Sequence, residues 1–376
     1  MLALLFLSSG LFLGWSLGAN NGPNIYGTAV GTRMLKFRTA AITSSVFIII
    51  GALISGTGTS GTINALGEID AIAGSFLVAL AAALAVLGMS KLRFPASISQ
   101  SIVGAIIGWN FYVGLHTNLN IVSDILLAWI SGPILAALFA MAMFFVLRAV
   151  LRHAKIHILR IDLYTRIGLV IACAAGGYSL GANNIGNVMG VFVSDSPFAN
   201  ISIGGLFTVT NIQQLFLLGG LAIAVGVFTY SYKVIETVGG NIVRLSPETA
   251  LIVVMAHSIV LFIFSSVRLH DFLVYNGIPA LPLVPVSSSQ AIIGGLIGIG
   301  IVKGARNIRY KILGEIAVGW VITPIVAGII SFITLFFMQN VFNQNIGSAP
   351  KTASASGTIN VQAAASADSV EFVIDE

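Results

Sequence analysis

The chain has 376 residues, of which 57% are hydrophobic and 8% are charged; its mean hydropathy is +0.98 and its formal net charge is +5. Soluble domains carry about 25% charged residues, so a chain this apolar could not cover its own surface in water. The basic residues lie in a few short loops, which is typical of a membrane protein and does not indicate a nucleic-acid partner. One cysteine, Cys173, excludes an internal disulfide and is expected to be a small core residue.

Ten apolar stretches follow one another along the chain, and each is predicted to be a membrane-spanning α-helix. About 20 apolar residues cross a hydrocarbon core about 30 Å thick, and continuous runs rich in Ala, Leu and Ile favour helices over alternating strands. The stretches at 94–112 and 284–302 are rich in glycine, so they either span or re-enter. The predicted spans are 2–31, 39–56, 74–89, 94–112, 121–148, 165–193, 212–232, 248–267, 284–302 and 312–340.

Lysine and arginine concentrate in alternate loops between these spans. Cytoplasmic loops carry an excess of both residues, so the pattern predicts a multi-pass protein of the cell (plasma) membrane with both termini outside. The predicted organisation is an N-terminal transmembrane repeat at 1–148, a basic cytoplasmic linker at 149–164 and a C-terminal transmembrane repeat at 165–344. The Ala-, Ser- and Thr-rich segment at 345–376 is predicted to be a disordered tail.

Three polar landmarks occur in the same order in both halves. LGANNGPNIYG at 17–27 matches LGANNIGNVMG at 180–190, FPASISQSIVGAIIG at 94–108 matches VPVSSSQAIIGGLIG at 284–298, and WISGPILA at 129–136 matches WVITPIVA at 320–327. Five spans per half turn the second half upside down relative to the first. The predicted fold is therefore an all-α polytopic membrane protein of two inverted-topology repeats, with broken or re-entrant helices at the midplane, an architecture typical of transporters.

The GANN copies place glycines and asparagines where an apolar helix should continue. Gly18 and Gly181 permit unusual torsions and close approach, and Pro23 disfavours helix at Gly22, so a helix break is predicted in each copy. Asparagine supplies a carbonyl oxygen and an amide donor without a charge, which suits a cation site. Hydrogen bonding between packed helices is the structural alternative.

The second landmark reads PASISQ at 95–100 and PVSSSQ at 285–290. Pro95 and Pro285 suit the first turn of a helix, where free amide hydrogens and a partial positive charge attract anions. Serine hydroxyls add donors for a tetrahedral oxyanion, although ordinary N-capping would also explain them. No Lys or Arg falls among these landmarks, and an anion alone at mid-membrane is strongly disfavoured, so co-transport with Na⁺ or H⁺ is predicted.

Together these motifs resemble those of the inorganic phosphate transporter (PiT) family, which includes sulfate permeases. That family carries a duplicated GANDVANA-type motif and a duplicated PVSTTH-like motif, and the segment at 236–248 is similar to a further family stretch. The resemblance covers nearly all of 10–340. It implies cation-coupled phosphate uptake, with sulfate transport as the alternative and an anion channel as the weaker one. Asn21 and Asn184 stand where the family has aspartate, which leaves sodium against proton coupling open.

The resemblance also implies which residues form the site. The candidate anion ligands are Ser97, Ser99, Ser287, Ser288 and Ser289. The candidate cation ligands are Asn20, Asn21, Asn24, Gln100, Asn183, Asn184, Asn187 and Gln290. The expected partners are phosphate or sulfate and the lipid bilayer, with a homodimer as an open question.

The remaining polar residues receive simpler interpretations. If protons are coupled, Asp124 and Glu315 are the candidate carboxylates, but a helix-end position near the interface is the favoured interpretation. The five histidines are scattered, and His153 with His157 is assigned to a solvated face beside the basic linker. No metal cluster, nucleophile–base pair or phosphate-binding loop is placed for catalysis, so neither an enzyme nor an organic cofactor is predicted.

Overall fold

The computed structural model describes residues 2–91, 96–153, 157–203, 207–238, 245–304, 310–344 and 346–347. Pro95 and the predicted tail, apart from Ile346 and Gly347, lie outside these residues. The helices within the described ranges are α1 Leu2–Gly31, α2 Phe37–Ser55, α3 Thr57–Gly67, α4 Ile72–Lys91, α5 Ile98–Val113, α6 Leu119–His153, α7 Ile158–Met189, α8 Asn211–Thr229, α9 Ser231–Val238, α10 Pro247–Ile263, α11 Val267–Tyr275, α12 Ser288–Val302 and α13 Tyr310–Asn340.

Most of these helices have the length and composition of membrane spans. Within the described residues, α2, α4, α6, α7, α8 and α13 are long and apolar enough to cross a bilayer, and α10 with α11, bent by 67°, forms a seventh such unit. At 30 residues, α1 also has the length of a span. The protein is therefore an all-α, multi-pass membrane protein, as its composition predicts.

Two of the predicted spans are short helices. In the described parts of the segments at 94–112 and 284–302, the helices begin at Ile98 and Ser288 and contain 16 and 15 residues. At 1.5 Å per residue each is about 24 Å long or less, which falls short of a 30 Å hydrocarbon core. Residues 96–97 and 281–287, which precede these two helices, are not helical.

Several segments between the predicted spans have structure of their own. The helices α3, α9 and α11 occupy segments interpreted as loops, and a two-stranded antiparallel hairpin pairs β1 (Ile201–Ile203) with β2 (Phe207–Val209). The predicted linker at 149–164 consists largely of the ends of α6 and α7, because α6 continues to His153 and α7 begins at Ile158.

The prediction of a helix break in each GANN motif is wrong. α1 continues through Gly18, Gly22 and Pro23, and α7 continues through Gly181 without interruption. The glycines serve close packing instead: a Cβ on Gly18 would overlap the backbone of α8 at Ile223, and a Cβ on Gly181 would overlap the backbone of α2. Small residues let membrane helices approach in this way, and a proline is tolerated where neighbouring helices support the backbone.

The same close packing joins the short helices to long helices of the other half. Gly104 of α5 lies against the Pro324 backbone of α13, and Gly294 of α12 lies against the Pro133 backbone of α6. The larger hydrophobic core runs through most of the helices, and a smaller cluster is shared by α6, α10, α12 and α13. These contacts fix the starts of α5 and α12 inside the protein.

Candidate functional site

The candidate site lies where α5 and α12 begin, because each helix starts at a buried serine N-cap. The side-chain oxygens of Ser97 and Ser287 accept hydrogen bonds from the backbone N–H groups of Gln100 and Gln290, at 3.4 and 3.3 Å. The Ser97 hydroxyl donates to Ser287 Oγ across 2.8 Å. The two helix N-termini therefore meet, and each brings free amide hydrogens and a partial positive charge to the same place.

The non-helical segment before α12 is held in position by α7 and α5. The side-chain oxygen of Asn183 accepts a hydrogen bond from the backbone N–H of Val286 at 3.0 Å, and Ser99 Oγ donates to the Val286 carbonyl at 3.1 Å. Pro285 precedes the N-cap Ser287 by two residues, so it lies outside the helix and not in its first turn, where the sequence suggested it.

Asparagines of both GANN motifs reach the serine segments, and they do so crosswise. Asn187 of the second motif donates to Ser99 Oγ of the first half at 2.8 Å, and Asn24 of the first motif donates to Ser288 Oγ of the second half at 3.0 Å. Asn187 also donates to Asn184 Oδ1 at 3.1 Å. The two landmarks that the sequence singles out separately thus form one hydrogen-bonded cluster.

Not every sequence-derived candidate joins this cluster through a side-chain hydrogen bond within the described residues: Asn20, Asn21 and Ser289 do not, and Gln100 and Gln290 join it only through their backbone N–H groups. Asn20 donates to the Ser16 carbonyl at 2.9 Å within its own helix, and its side-chain oxygen accepts from Ser90 of α4 at 3.4 Å. Ser289 is half-buried beside Ser288. In this conformation Asn20 therefore connects α1 to α4 and does not contact the serine segments.

Buried amide oxygens without a hydrogen-bond partner mark the candidate cation ligands. Among the described residues they include Oδ1 of Asn21 and Asn187 and Oε1 of Gln100 and Gln290, all on side chains that are at most 5% exposed. A buried polar atom without a partner costs about 1–3 kcal/mol, so native proteins rarely keep several in one region. Neutral oxygens of this kind are ligands for a hard cation or acceptors for a protonated ligand.

His257, one of the five scattered histidines and not among the predicted site residues, lies in the same cluster. Its Nε2 lies 2.9 Å from Ser288 Oγ, the side chain is fully buried, and Nδ1 has no partner among the described residues. A signal was present: His257 is the one ionisable residue inside the apolar run at 249–265, and an ionisable residue within a membrane span is a functional candidate by default.

Formal charges are kept away from the site. No Asp, Glu, Lys or Arg among the described residues is buried. Asp124 and Glu315 are exposed, as the helix-end interpretation expects, and so are His153 and His157. The described residues contain no group of three His, Cys, Asp or Glu side chains that could hold a metal ion.

The non-helical segment before α12 forms part of the wall of an open cleft of about 360 Å³. Asp124 and His270 contribute its polar lining, and Leu283 and Val284 belong to the segment that leads into α12. The Val284 carbonyl faces the Asn183 amide nitrogen at 3.5 Å, so the cleft ends next to a residue of the cluster.

Comparisons with known proteins agree on one family. The model of a phosphate transporter family matches residues 17–270 and 273–370. A protein of Methanocaldococcus jannaschii named as a phosphate permease is 30% identical over 322 residues, which cover 86% of this chain and 93% of that protein. A protein of Pyrococcus abyssi with the same kind of name is 26% identical and covers 88% of this chain and 96% of its own.

A solved structure, that of "The sodium-dependent phosphate transporter", has the same fold. It superposes with a TM-score of 0.69 at 20% identity, covering 90% of this chain and 99% of that one. At this identity the likeness concerns the fold of the chain.

Proposed function

Because this chain belongs to the phosphate transporter family, we propose that it imports inorganic phosphate by symport with a cation. The family and the fold are those of a transporter and not of an enzyme. The observation that carries the proposal is the 2.8 Å hydrogen bond between Ser97 and Ser287, which joins two helix N-termini inside a membrane protein. Paired N-termini with hydroxyl donors form an anion site that needs no Lys or Arg.

We assign the anion to the serine side of the cluster. Ser97, Ser99, Ser287, Ser288 and Ser289 supply hydroxyl groups, and the first turns of α5 and α12 supply amide hydrogens. In the structure the hydroxyls of Ser97 and Ser287 bond to each other. A bound oxyanion would replace that bond with two stronger ones, because hydrogen bonds to a charged acceptor are roughly twice as strong as neutral ones.

We assign the co-transported cation to the amide side of the cluster. The candidates are Asn20, Asn21, Asn24, Gln100, Asn183, Asn184, Asn187 and Gln290, and four of them carry an unpartnered buried oxygen. A cation next to the anion offsets the cost of moving negative charge to mid-membrane. Sodium is one option, since the similar structure is named sodium-dependent, and a proton is the other.

Alternating access follows if the halves 1–148 and 165–344 are inverted repeats, as the duplicated landmarks predict. The crosswise contacts support this: Gly104 packs on Pro324, and its counterpart Gly294 packs on Pro133. Two halves that share one fold can exchange their two packings, so that outward-open and inward-open states have similar energies. The loops rich in Lys and Arg would face the cytoplasm of a plasma-membrane protein, with both termini outside.

Transport in liposomes tests this function. The purified protein should accumulate labelled phosphate under an imposed sodium or proton gradient and should exchange internal for external phosphate without any gradient. Sulfate is added as the competing anion, and it should compete less well than unlabelled phosphate. Absence of phosphate uptake and exchange under every gradient would remove the proposal. A phosphate flux whose rate does not depend on either cation gradient would favour an anion channel.

Serine substitutions test the anion ligands. Ser288→Ala should raise the phosphate concentration for half-maximal uptake by about 10- to 100-fold, because a hydrogen bond to a charged group contributes about 1.5–3 kcal/mol. Ser97→Ala should do the same but also loses an N-cap, so Ser97→Thr, which retains the hydroxyl and the cap, is its partner variant. Ser123→Ala, at an exposed serine of α6, is the matched control. Unchanged affinity in both alanine variants would exclude these two serines as ligands.

A further inference from the structure

His257 lies in the middle of α10 and is the buried histidine of the described chain. The side chain is 0% exposed, Nε2 lies 2.9 Å from the hydroxyl of Ser288, and Nδ1 has no hydrogen-bond partner in the part of the chain that the structure describes. Ser288 Oγ also accepts a hydrogen bond from Asn24 at 3.0 Å. An imidazole with one engaged and one free nitrogen therefore borders the serine that we assign to the anion.

Within the described residues, no buried Asp, Glu, Lys or Arg lies beside this imidazole, and the Lys303 amine that reaches α10 binds Thr249, about two helical turns away. The helices α1, α6, α7 and α12 pack against α10. Their buried ionisable side chains, among the described residues, are Tyr26 and Cys173, which are both neutral acids. The other described ionisable residues on these helices and on α10 are exposed or half-buried: Asp124, Arg148, Arg152, His153, Arg160, Asp162, Tyr164, Arg166, Tyr178 and Glu248.

These surroundings make the protonation of His257 depend on the anion. An uncompensated imidazolium in an enclosed site is costly, so the ring is neutral when no anion lies beside it. An oxyanion bound at Ser288 would bring a negative charge next to the ring and favour its protonated form. By linkage, protonation must then strengthen anion binding by the same factor. Neither ion would cross easily alone, which is the property that a symporter requires.

We propose that His257 is the proton-binding residue of the transport cycle, so that phosphate and one proton share the Ser288 region and cross together. The proposal rests on the phosphate transport proposed above and names its coupling ion. A proton from water on the side of entry binds a ring nitrogen, and the same proton returns to water on the side of release. No other bond changes. The proposal also explains how coupling can persist in a cluster with Asn21 and Asn184, since the described site has no buried carboxylate to take the proton.

At a fixed membrane potential, the steady-state ratio of internal to external phosphate depends on the net charge that is transported with each phosphate. Wild type and His257→Gln are reconstituted in sodium-free liposomes at equal internal and external pH, and a potassium diffusion potential of about 100 mV, inside negative, is imposed. If the variant carries one positive charge fewer per phosphate, its ratio of internal to external phosphate should be about 50-fold lower than that of wild type. An inward proton gradient of about one pH unit should add about tenfold to this difference. The effect of pH on the ionisation of phosphate is the same for both proteins, so it cancels in the comparison of their accumulation ratios.

The design separates the possible failures. The accumulation ratio is an equilibrium quantity, so a slower variant still reports it, and phosphate exchange without gradients identifies folded protein. His116→Gln, an exposed histidine, should match wild type. Equal ratios for wild type and His257→Gln would overturn the proton role of His257 while leaving phosphate transport intact. If wild type shows no phosphate exchange, the proposed function itself fails.

A second measurement uses only the wild-type protein, so it tests the proposal even if His257→Gln does not fold. In sodium-free medium, wild type under an inward proton gradient should accumulate phosphate beyond the ratio that ionisation of phosphate alone produces. Accumulation that never exceeds this ratio, or that requires sodium, would overturn the proposal.

Discussion

At the scale of single residues, the most informative position is Asn184. It is fully buried, its side-chain oxygen accepts a hydrogen bond from Asn187 at 3.1 Å, and its amide nitrogen has no partner in the described chain. An unpartnered donor contributes nothing to a cation site. A carboxylate of the same shape would keep the bond from Asn187 and present a second oxygen with negative charge.

Asn184→Asp should therefore make transport respond to sodium. We expect the sodium concentration for half-maximal phosphate uptake to fall at least about tenfold relative to wild type, since a buried opposite charge at close range contributes more than about 1.4 kcal/mol. The variant should also be less thermostable without sodium and regain stability when sodium is added. Asn118→Asp, the same change at an exposed residue, is the control. A sodium response unchanged in Asn184→Asp would mean that this residue does not face the cation.

At the scale of helices, several close crossings depend on glycine. A Cβ at Gly104 would overlap the Pro324 carbonyl of α13, and a Cβ at Gly294 would overlap the Pro133 carbonyl of α6. Since the obstacle is backbone in both cases, a side chain cannot turn aside to make room. The short helices α5 and α12 would have to move, and their N-termini carry the candidate anion site.

Gly104→Ala and Gly294→Ala should each destabilise the protein by about 1–3 kcal/mol, the usual cost of overpacking. The check is the melting temperature in detergent together with phosphate affinity, both of which should decline. Gly88→Ala is the matched control, because nothing lies within 4 Å of a Cβ there and alanine favours helix by about 0.5–1 kcal/mol. Wild-type stability in both crossing variants would contradict the close packing.

At the scale of the whole molecule, the distribution of Lys and Arg predicts one orientation in the membrane. A Cys173→Ala background removes the chain's own thiol, which is buried. A thiol introduced by Asn118→Cys should react with an impermeant maleimide on intact cells, and one introduced by Lys36→Cys should react only after the membrane is permeabilised. Both wild-type residues are exposed. The opposite labelling pattern would reverse the predicted topology.

Part of the candidate site, the cluster of serines and asparagines, could be predicted from sequence because its landmarks occur twice. Polar residues at matching places in two apolar halves have few explanations apart from a shared site, and the hydrogen bonds of Asn24 and Asn187 to serines of the opposite half agree with it. His257 escaped prediction because it has no counterpart among the duplicated landmarks. The continuity of α1 and α7 could not be predicted because helix propensity considers each helix alone. In the structure, neighbouring helices pack closely against Gly18 and Gly181 and stabilise both helices there.

The sequence by itself determined that this is a polytopic helical membrane protein, since apolar runs of about 20 residues are stable only in lipid and only with their backbone hydrogen bonds satisfied. The sequence also predicts two repeats from its duplicated landmarks, and its motifs indicated the family that the comparison confirms. Only the tertiary structure decided that α1 and α7 continue through the GANN motifs, that Ser97 meets Ser287, and that a buried histidine borders Ser288. Composition and hydrophobic periodicity indicate whether each helix lies in lipid or in water. Which side chains meet depends on how the helices pack against one another, and this packing is a property of the tertiary structure.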